Sequence, residues 1–181
     1  MSARKAAHLA TVTDLHLFGE GPNGEAVSQV HLDWSGTSDI YWRWNLATGT
    51  WLRFYNVGSQ SAPVIKPDLL SDGVQNQAQN VVVQDVNITY VPWVENSGGG
   101  LEAESHIIGD SGKAYVFRNA TTITGTWVST SAGSPTKFLD GASKAIDLEP
   151  GRTWVEIYPS VASQGVTPRV SNTTTTTTAD G

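Results

Sequence analysis

The chain has 181 residues, no cysteine and a formal net charge of −6, and 39% of its residues are apolar. This composition excludes a disulfide framework, a thiol nucleophile and a Cys-ligated metal, and the negative charge argues against a general nucleic-acid binder. No stretch approaches the roughly 18 consecutive apolar residues of a membrane span.

The two ends of the chain differ from its middle. Residues 1–26 begin with two positive charges, but His8 and later polar residues interrupt the apolar stretch that a signal peptide requires, so none is predicted. Residues 10–18 are predicted to form a short helix. Residues 161–181 contain a run of six threonines with no apolar face, which predicts a disordered tail typical of extracellular linkers.

Alternating apolar and polar residues predict strands from residue 27 onward. Val30 and Leu32 share one face of the first strand. Residues 39–55 are predicted to form a β-hairpin, because aromatic and β-branched residues flank a turn that contains Gly49. Residues 56–79 are rich in Pro, Gly and polar residues, which predicts a long loop of the kind that often carries binding residues.

The second half of the chain continues this pattern. Strong turn signals separate short apolar segments, and almost no helical periodicity is present. Further strands are predicted over residues 80–94, 113–118, 121–128, 136–139, 145–148 and 153–158. The pattern predicts a mainly β domain over residues 27–160, as an antiparallel sandwich or open barrel of about eight short strands.

Four groups of residues resemble one known family in order and spacing. They are Tyr-Trp-Arg-Trp with Gly-Thr-Trp-Leu-Arg-Phe (41–44 and 49–54), Asn-Val-Val-Val-Gln (80–84), Gly-Lys-Ala-Tyr-Val-Phe with Gly-Thr-Trp (112–117 and 125–127), and Ser-Pro-Thr-Lys-Phe with Leu-Glu-Pro-Gly-Arg-Thr-Trp-Val-Glu (134–138 and 148–156). Together they make roughly residues 35–160 similar to the C-terminal domain of the DUF3048 family.

The resemblance implies an exported or lipid-anchored protein of the bacterial cell envelope, in which a larger N-terminal α/β domain precedes this one. It also implies that the chain is a fragment and that residues 1–26 are the remnant of an interdomain region. Relatives carry His-x-Asp in the long loop, whereas this chain has Lys66-Pro67-Asp68. A function that needs this histidine is therefore not expected here.

Candidate catalytic and metal-binding residues are few. Glu102, Glu104 and His106 alternate, so on a strand they would share one face, either as metal ligands or as a solvated polar surface. The sequence contains no nucleophile elbow and no phosphate-binding loop. Paired carboxylates for glycoside hydrolysis cannot be chosen from sequence. We predict no catalytic residue, no metal and no cofactor.

Trp42, Trp44 and Trp51 crowd the hairpin, with Leu52 or Phe54 expected beside the first two. They form either an aromatic platform for a sugar ring or peptide, or a set of cross-strand pairs that cover the core. Trp127 and Trp154 are predicted core residues whose indole N–H groups bind backbone carbonyls.

Arg43 and Arg53 can clamp a carboxylate or phosphate, or else pair with nearby Asp residues or stack on the indoles. Asp68 completes the candidate set because it lies in the long loop. The predicted ligand-binding residues are Trp42, Trp44, Trp51, Arg43, Arg53 and Asp68.

The sequence predicts a non-catalytic binding module of the cell envelope, with a protein, a peptide or a wall polymer as its partner. One alternative is a cell-wall hydrolase that uses carboxylates. The other is a purely structural domain that packs on the missing N-terminal domain of the same family.

Overall fold

The computed structural model of the protein describes residues 25–35, 38–94, 101–159 and 169–171. The predicted helix over residues 10–18 and the threonine run lie outside these residues. The described part contains no helix that is long and apolar enough to cross a membrane. Its thirteen strands are β1 (Glu25–Ala26), β2 (Gln29–Ser35), β3 (Ser38–Asn45), β4 (Thr50–Asn56), β5 (Ile65–Pro67), β6 (Gln77–Ala78), β7 (Asn80–Val94), β8 (Leu101–His106), β9 (Asp110–Arg118), β10 (Thr121–Ser129), β11 (Lys137–Asp140), β12 (Thr153–Pro159) and β13 (Arg169–Ser171).

The strands form two sheets, which confirms the predicted mainly β sandwich. The six-stranded sheet has the order β13-β2-β3-β4-β5, with β6 beside β4. The seven-stranded sheet has the order β1-β10-β9-β7-β12, with β11 beside β10 and β8 beside β7. The pair β12–β7 is parallel, whereas the other strand pairs of the described residues are antiparallel.

Two hydrophobic cores lie on opposite faces of the seven-stranded sheet. The first fills the space between the sheets and includes Trp42 and Trp51 from one sheet and Phe117 from the other. The second lies on the far face, where Phe138 and Ile146 cover Trp127 and other side chains. Because both faces are buried there, Val81–Val83 of β7 and Ala114–Phe117 of β9 are apolar on both sides, as expected for a doubly covered sheet.

The hairpin β3–β4 and the strands β7, β9, β10 and β12 form as predicted. Asn119 and Ala120 make the tight turn between β9 and β10, with φ values of 46° and 54°. This conformation suits the twist of a two-residue hairpin.

Two other local predictions need correction. Residues 145–148 do not form a strand and contribute only bridge residues at Ala145 and Leu148. The side chains of Ile146 and Leu148 cover the second core. The long segment 56–79 is not a pure loop, since β5 and β6 lie within it and both pair with β4. Strand β13 also falls within 161–181, where a disordered tail is predicted, and pairs there with β2.

Candidate functional site

Period-two alternation in the β3–β4 hairpin divides the predicted site residues between two faces. Trp42 lies opposite Arg53 and Trp44 opposite Trp51, all on the face toward the other sheet. Leu52 lies opposite Arg43 on the solvent side, so it is not beside the tryptophans as expected from the sequence. Arg43 and Arg53 therefore point to opposite faces and cannot clamp one ligand group.

The tryptophans of the hairpin belong to the first core. Trp42 and Trp51 are both 0% exposed, and Trp44 is half-buried against Trp51 in an edge-to-face contact with a centroid distance of 5.3 Å. Trp51 in turn packs edge-to-face on Phe117 of the other sheet, at 6.0 Å. This is the arrangement of cross-strand pairs that cover the core, the second of the two alternatives open in the sequence.

A charged cluster sits between the sheets around the Arg53 guanidinium. Arg53 forms an ion pair through Nη1 with the Asp68 carboxylate, and its Nε donates to Glu156 Oε1 at 3.3 Å. The same Glu156 oxygen accepts from Trp42 Nε1 at 3.0 Å. Arg53 also lies over the Trp154 ring, 5.1 Å from its centroid.

Glu156 makes this cluster chemically unusual, because its side chain is only 6% exposed. A buried carboxylate is costly unless it is paired and hydrogen-bonded. Glu156 has both, in the form of the Arg53 guanidinium and the Trp42 indole. The cluster therefore connects β4 and the loop after β5 to β12, and its two carboxylates are occupied by protein groups.

Backbone hydrogen bonds fix the loop that carries Asp68. Asp68 N donates to Arg53 O at 3.0 Å, and Asn76 N donates to Asp68 O at 2.8 Å. The side-chain amide of Gln75 also donates to Arg53 O, at 2.7 Å. The loop is thus held at both of its ends by β4.

Exposed apolar side chains concentrate beside this anchor. In the described part of the chain nine large hydrophobic side chains are exposed, and six of them lie between residues 55 and 74. These six range from 39% to 54% exposed. We call this set, along the β4–β5 side of the six-stranded sheet, the apolar edge: Tyr55, Val57, Val64, Leu69, Leu70 and Val74.

The solvent face of the six-stranded sheet carries a second cluster. The ring of His31 stacks on that of Tyr41 at 4.1 Å with an interplanar angle of 5°. His31 Nε2 pairs with the Asp39 carboxylate, which also accepts from Asn56 Nδ2 at 3.0 Å. Burial, helped by the Asp39 and Asp33 carboxylates, raises the pKa of Tyr41.

The remaining acidic candidates do not converge. His106 Nε2 hydrogen-bonds to Thr89 at 2.7 Å, while Glu102 and Glu104 are exposed. Within the described residues no three His, Cys, Asp or Glu side chains are grouped so that they could hold a metal ion. Burial raises the pKa of Asp85 on β7, against the lowering effect of Lys113.

Sequence reasoning missed Glu156 and Trp154 as members of the Arg53 cluster. Trp154 is half-buried, so its predicted place in the core is only partly met, whereas Trp127 is buried and donates to Asp85 O at 2.8 Å as predicted. Both missed residues lie in the last of the four family-like groups. Arg53 lies in the first of these groups, more than 100 residues away. Belonging to the same family resemblance was the only signal in the sequence that linked the two residues to Arg53.

Two comparisons with known proteins found a match, one to a family model and one to a solved structure. A family model described as "Protein of unknown function (DUF3048) C-terminal domain" matches residues 30–155. The crystal structure of the YerB protein from Bacillus subtilis is similar, with a TM-score of 0.55 and 15% identity, over 86% of this chain and 46% of the YerB chain. At that identity the likeness shows the fold alone, and the chain spans about half the length of YerB. No curated protein matches the chain in sequence.

Proposed function

Because the chain belongs to the DUF3048 family, we propose that it is a non-catalytic interaction module of the bacterial cell envelope and that its apolar edge binds a protein partner. The observation that carries this proposal is the concentration of six exposed hydrophobic side chains on one rigidly anchored segment. Exposed apolar patches on soluble domains mark interaction surfaces.

The rigidity of the segment strengthens the proposal. Ion pairing at Asp68 and the hydrogen bonds of Gln75 and Asn76 hold the Leu69–Leu70 turn against β4. A surface that is already ordered loses less entropy on binding than a flexible loop does. Five of its six members are aliphatic side chains of Val and Leu in the two loops beside β5, which suit the apolar side chains of a protein better than the sugar rings of a wall polymer.

Lys66 and Pro67 lie on the terminal strand β5 of the same sheet. Lysine and proline on an edge strand discourage the addition of a further strand. The partner therefore contacts side chains of the apolar edge and does not extend the sheet. Asp68, beside this surface, and the buried Glu156 both form ion pairs with Arg53, and Asp72 within the surface accepts from the backbone N–H of Val74 at 3.0 Å. These engaged carboxylates support a binding role over a hydrolytic one.

Site-specific photo-crosslinking in cells tests the proposal. A benzoylphenylalanine at position 70 is expected to yield discrete crosslinked products, and Leu69→Ser with Val74→Ser should abolish them. A matched crosslinker at Leu46, which is 87% exposed on the β3–β4 turn, should yield none. Identical products from both positions, or none from position 70, would refute the proposal. Fractionation of the same cells tests the envelope location.

A second candidate for the same surface is the N-terminal half of a longer family protein. The observation that favours it is that YerB is about twice as long as the matched region. In a longer chain, crosslinks from position 70 would then fall within one polypeptide. Mass spectrometry of the crosslinked peptides separates this case from a partner protein.

A further inference from the structure

The cross-strand register builds two rows of side chains on the solvent face of the six-stranded sheet. Neighbouring strands lie about 4.8 Å apart, so each row of four residues spans about 14 Å. The first row is mostly rings and the second mostly polar. Across β2 to β6 the first row is His31, Tyr41, Phe54 and Pro67, and the second is Gln29, Arg43, Leu52 and Gln77. By register, β13 continues the first row with Arg169 and the second with Ser171.

Arg43 is exposed, yet its guanidinium is held in place. Its Nε donates to Gln29 Oε1 at 2.9 Å. Its Cζ lies 4.9 Å from the Phe54 ring centroid and 5.9 Å from that of Tyr41. One hydrogen bond and two ring contacts therefore orient the planar group, so little side-chain entropy remains to be lost when a ligand binds.

The terminal nitrogens of Arg43 have no acidic partner among the described residues. The nearest acidic residues of the same face are engaged elsewhere, since Asp39 pairs with His31 and Asp33 accepts from Gln60 at 3.1 Å. Arg53 and Arg118, by contrast, both form ion pairs with carboxylates. With respect to the described residues, Arg43 thus offers two terminal NH2 groups without a carboxylate partner on a partly apolar surface, in a chain with 17 acidic and 11 basic residues.

We propose that this face is a binding site for a carboxylate on a flat or apolar body, with Arg43 as its bidentate anchor. A guanidinium presents parallel N–H donors that match the two oxygens of a carboxylate. Phe54 and Leu52, both half-buried, supply the apolar contact for the body of the ligand. Gln29 acts as a positioning residue. The site is separate from the apolar edge and does not depend on the function proposed for it.

The test titrates the full chain with matched pairs of acids and neutral analogues, followed by NMR of the Arg43 Nε–H and the amides of residues 41–54. The pairs are N-acetyl-Leu-Leu with its amide, for a peptide carboxylate, and digalacturonate with its methyl ester, for a saccharide carboxylate. In at least one pair the acid is expected to bind and the neutral analogue is not. The pair that responds identifies the source of the carboxylate.

Variants decide whether Arg43 is responsible. Arg43→Gln is expected to weaken the binding of the acid by about tenfold or more, and Arg43→Lys by less, because lysine keeps the charge without the fork. Lys144→Gln is the control, since Lys144 is exposed in the turn after β11, outside the two rows, and its replacement removes the same charge, so it should leave binding unchanged. Gln29→Leu should weaken binding and broaden the Arg43 Nε–H signal. Equal binding of acids and amides, equal loss in the two Gln variants, or no saturation at about 10 mM would overturn the proposal.

Discussion

Glu156 is the residue on which most of the charged interior depends. Three strands from the two sheets meet there, because Trp42 and Arg53 come from β3 and β4 of one sheet and Glu156 from β12 of the other. Removing one partner of a buried ion pair leaves an uncompensated charge, which costs more than removing both. The stability of the domain should therefore respond in a non-additive way to changes in this cluster.

Arg53→Met is expected to lower the free energy of unfolding by about 3–5 kcal/mol, because it leaves Glu156 buried without its counterion. Urea denaturation followed by circular dichroism measures the loss. Arg53→Met combined with Glu156→Gln should cost clearly less than the sum of the two single changes. Additive costs in this double-mutant cycle would show that Arg53 and Glu156 do not interact in solution.

The contribution of Asp85 to stability changes with pH in the opposite direction to that of a salt-bridged carboxylate. Burial raises its pKa in the folded state, whereas in the unfolded chain the pKa is about 3.9. Its contribution to stability is present below the unfolded-state pKa and is lost as the pH rises through the folded-state pKa. At neutral pH the ionised form therefore destabilises the fold.

Asp85→Asn is accordingly expected to stabilise the domain at pH 7, with a gain that shrinks as the pH falls toward about 3.5. Urea titrations at three pH values measure this trend. Lys113→Gln, with Asp85 retained, should lower the free energy of unfolding at pH 7, because Lys113 favours the ionised form of Asp85 and so lowers its pKa. A difference between Asp85→Asn and wild type that does not change with pH would contradict the assignment.

At the scale of elements, strand β7 is the centre of the fold. It pairs with β9 on one side and β12 on the other, and it contributes side chains to both cores. Val83 lies in the core between the sheets and Val82 in the core on the far face, and both are 0% exposed. In a sandwich of only two layers, one of these neighbours would face water.

Val82→Ala and Val83→Ala are therefore expected to cost similar amounts, about 2 kcal/mol each, as deletions of buried methyl groups do. Thr126→Ala on β10, whose side chain is exposed, is the control and should change stability by less than about 0.5 kcal/mol. Thermal or urea unfolding measures all three. A large cost at Val83 with none at Val82 would mean that the second core does not form.

The local elements could be predicted from sequence, and the long-range pairs could not. Alternation and turn residues are local, and they placed the β3–β4 hairpin and put Trp42 and Trp44 on one face. Which face points inward depends on the second sheet, which the hairpin sequence does not encode. The short strands β5 and β6 were missed because two or three residues show no period and pair only through tertiary contact.

Across the whole molecule, the structure departs further from the predicted site than from the predicted fold. The six predicted site residues are divided among the first core, the Arg53 cluster and the solvent face at Arg43. Residue type indicated binding chemistry, but burial decided which groups are available. Arginine at positions 43 and 53 looked equivalent in sequence, and only the pleat and the charge of Asp68 and Glu156 distinguish them.

The apolar edge yields a prediction about the isolated domain. Serine at Leu69, Leu70 and Val74 together should leave the free energy of unfolding within about 0.5 kcal/mol per site, because these side chains are largely exposed. Binding of a hydrophobic dye and self-association at high concentration should both decrease. Leu46→Ser is the control and should change neither. A large loss of stability in the triple variant would mean that the edge serves the fold instead of a partner.

The parallel pairing of β12 with β7 also determines when the domain can fold during synthesis. Trp154 lies beside Val81, and Glu156 of the same strand contacts Arg53. The packing between the two sheets therefore cannot be completed until β12, which follows most of the other strands, has been synthesised. Until residue 159 leaves the ribosome, one edge of β7 and the charge of Arg53 lack their final partners. Non-local parallel pairing of this kind slows folding and leaves apolar strands exposed. A nascent chain that stalls before β12 is therefore the form of this protein that most needs a chaperone.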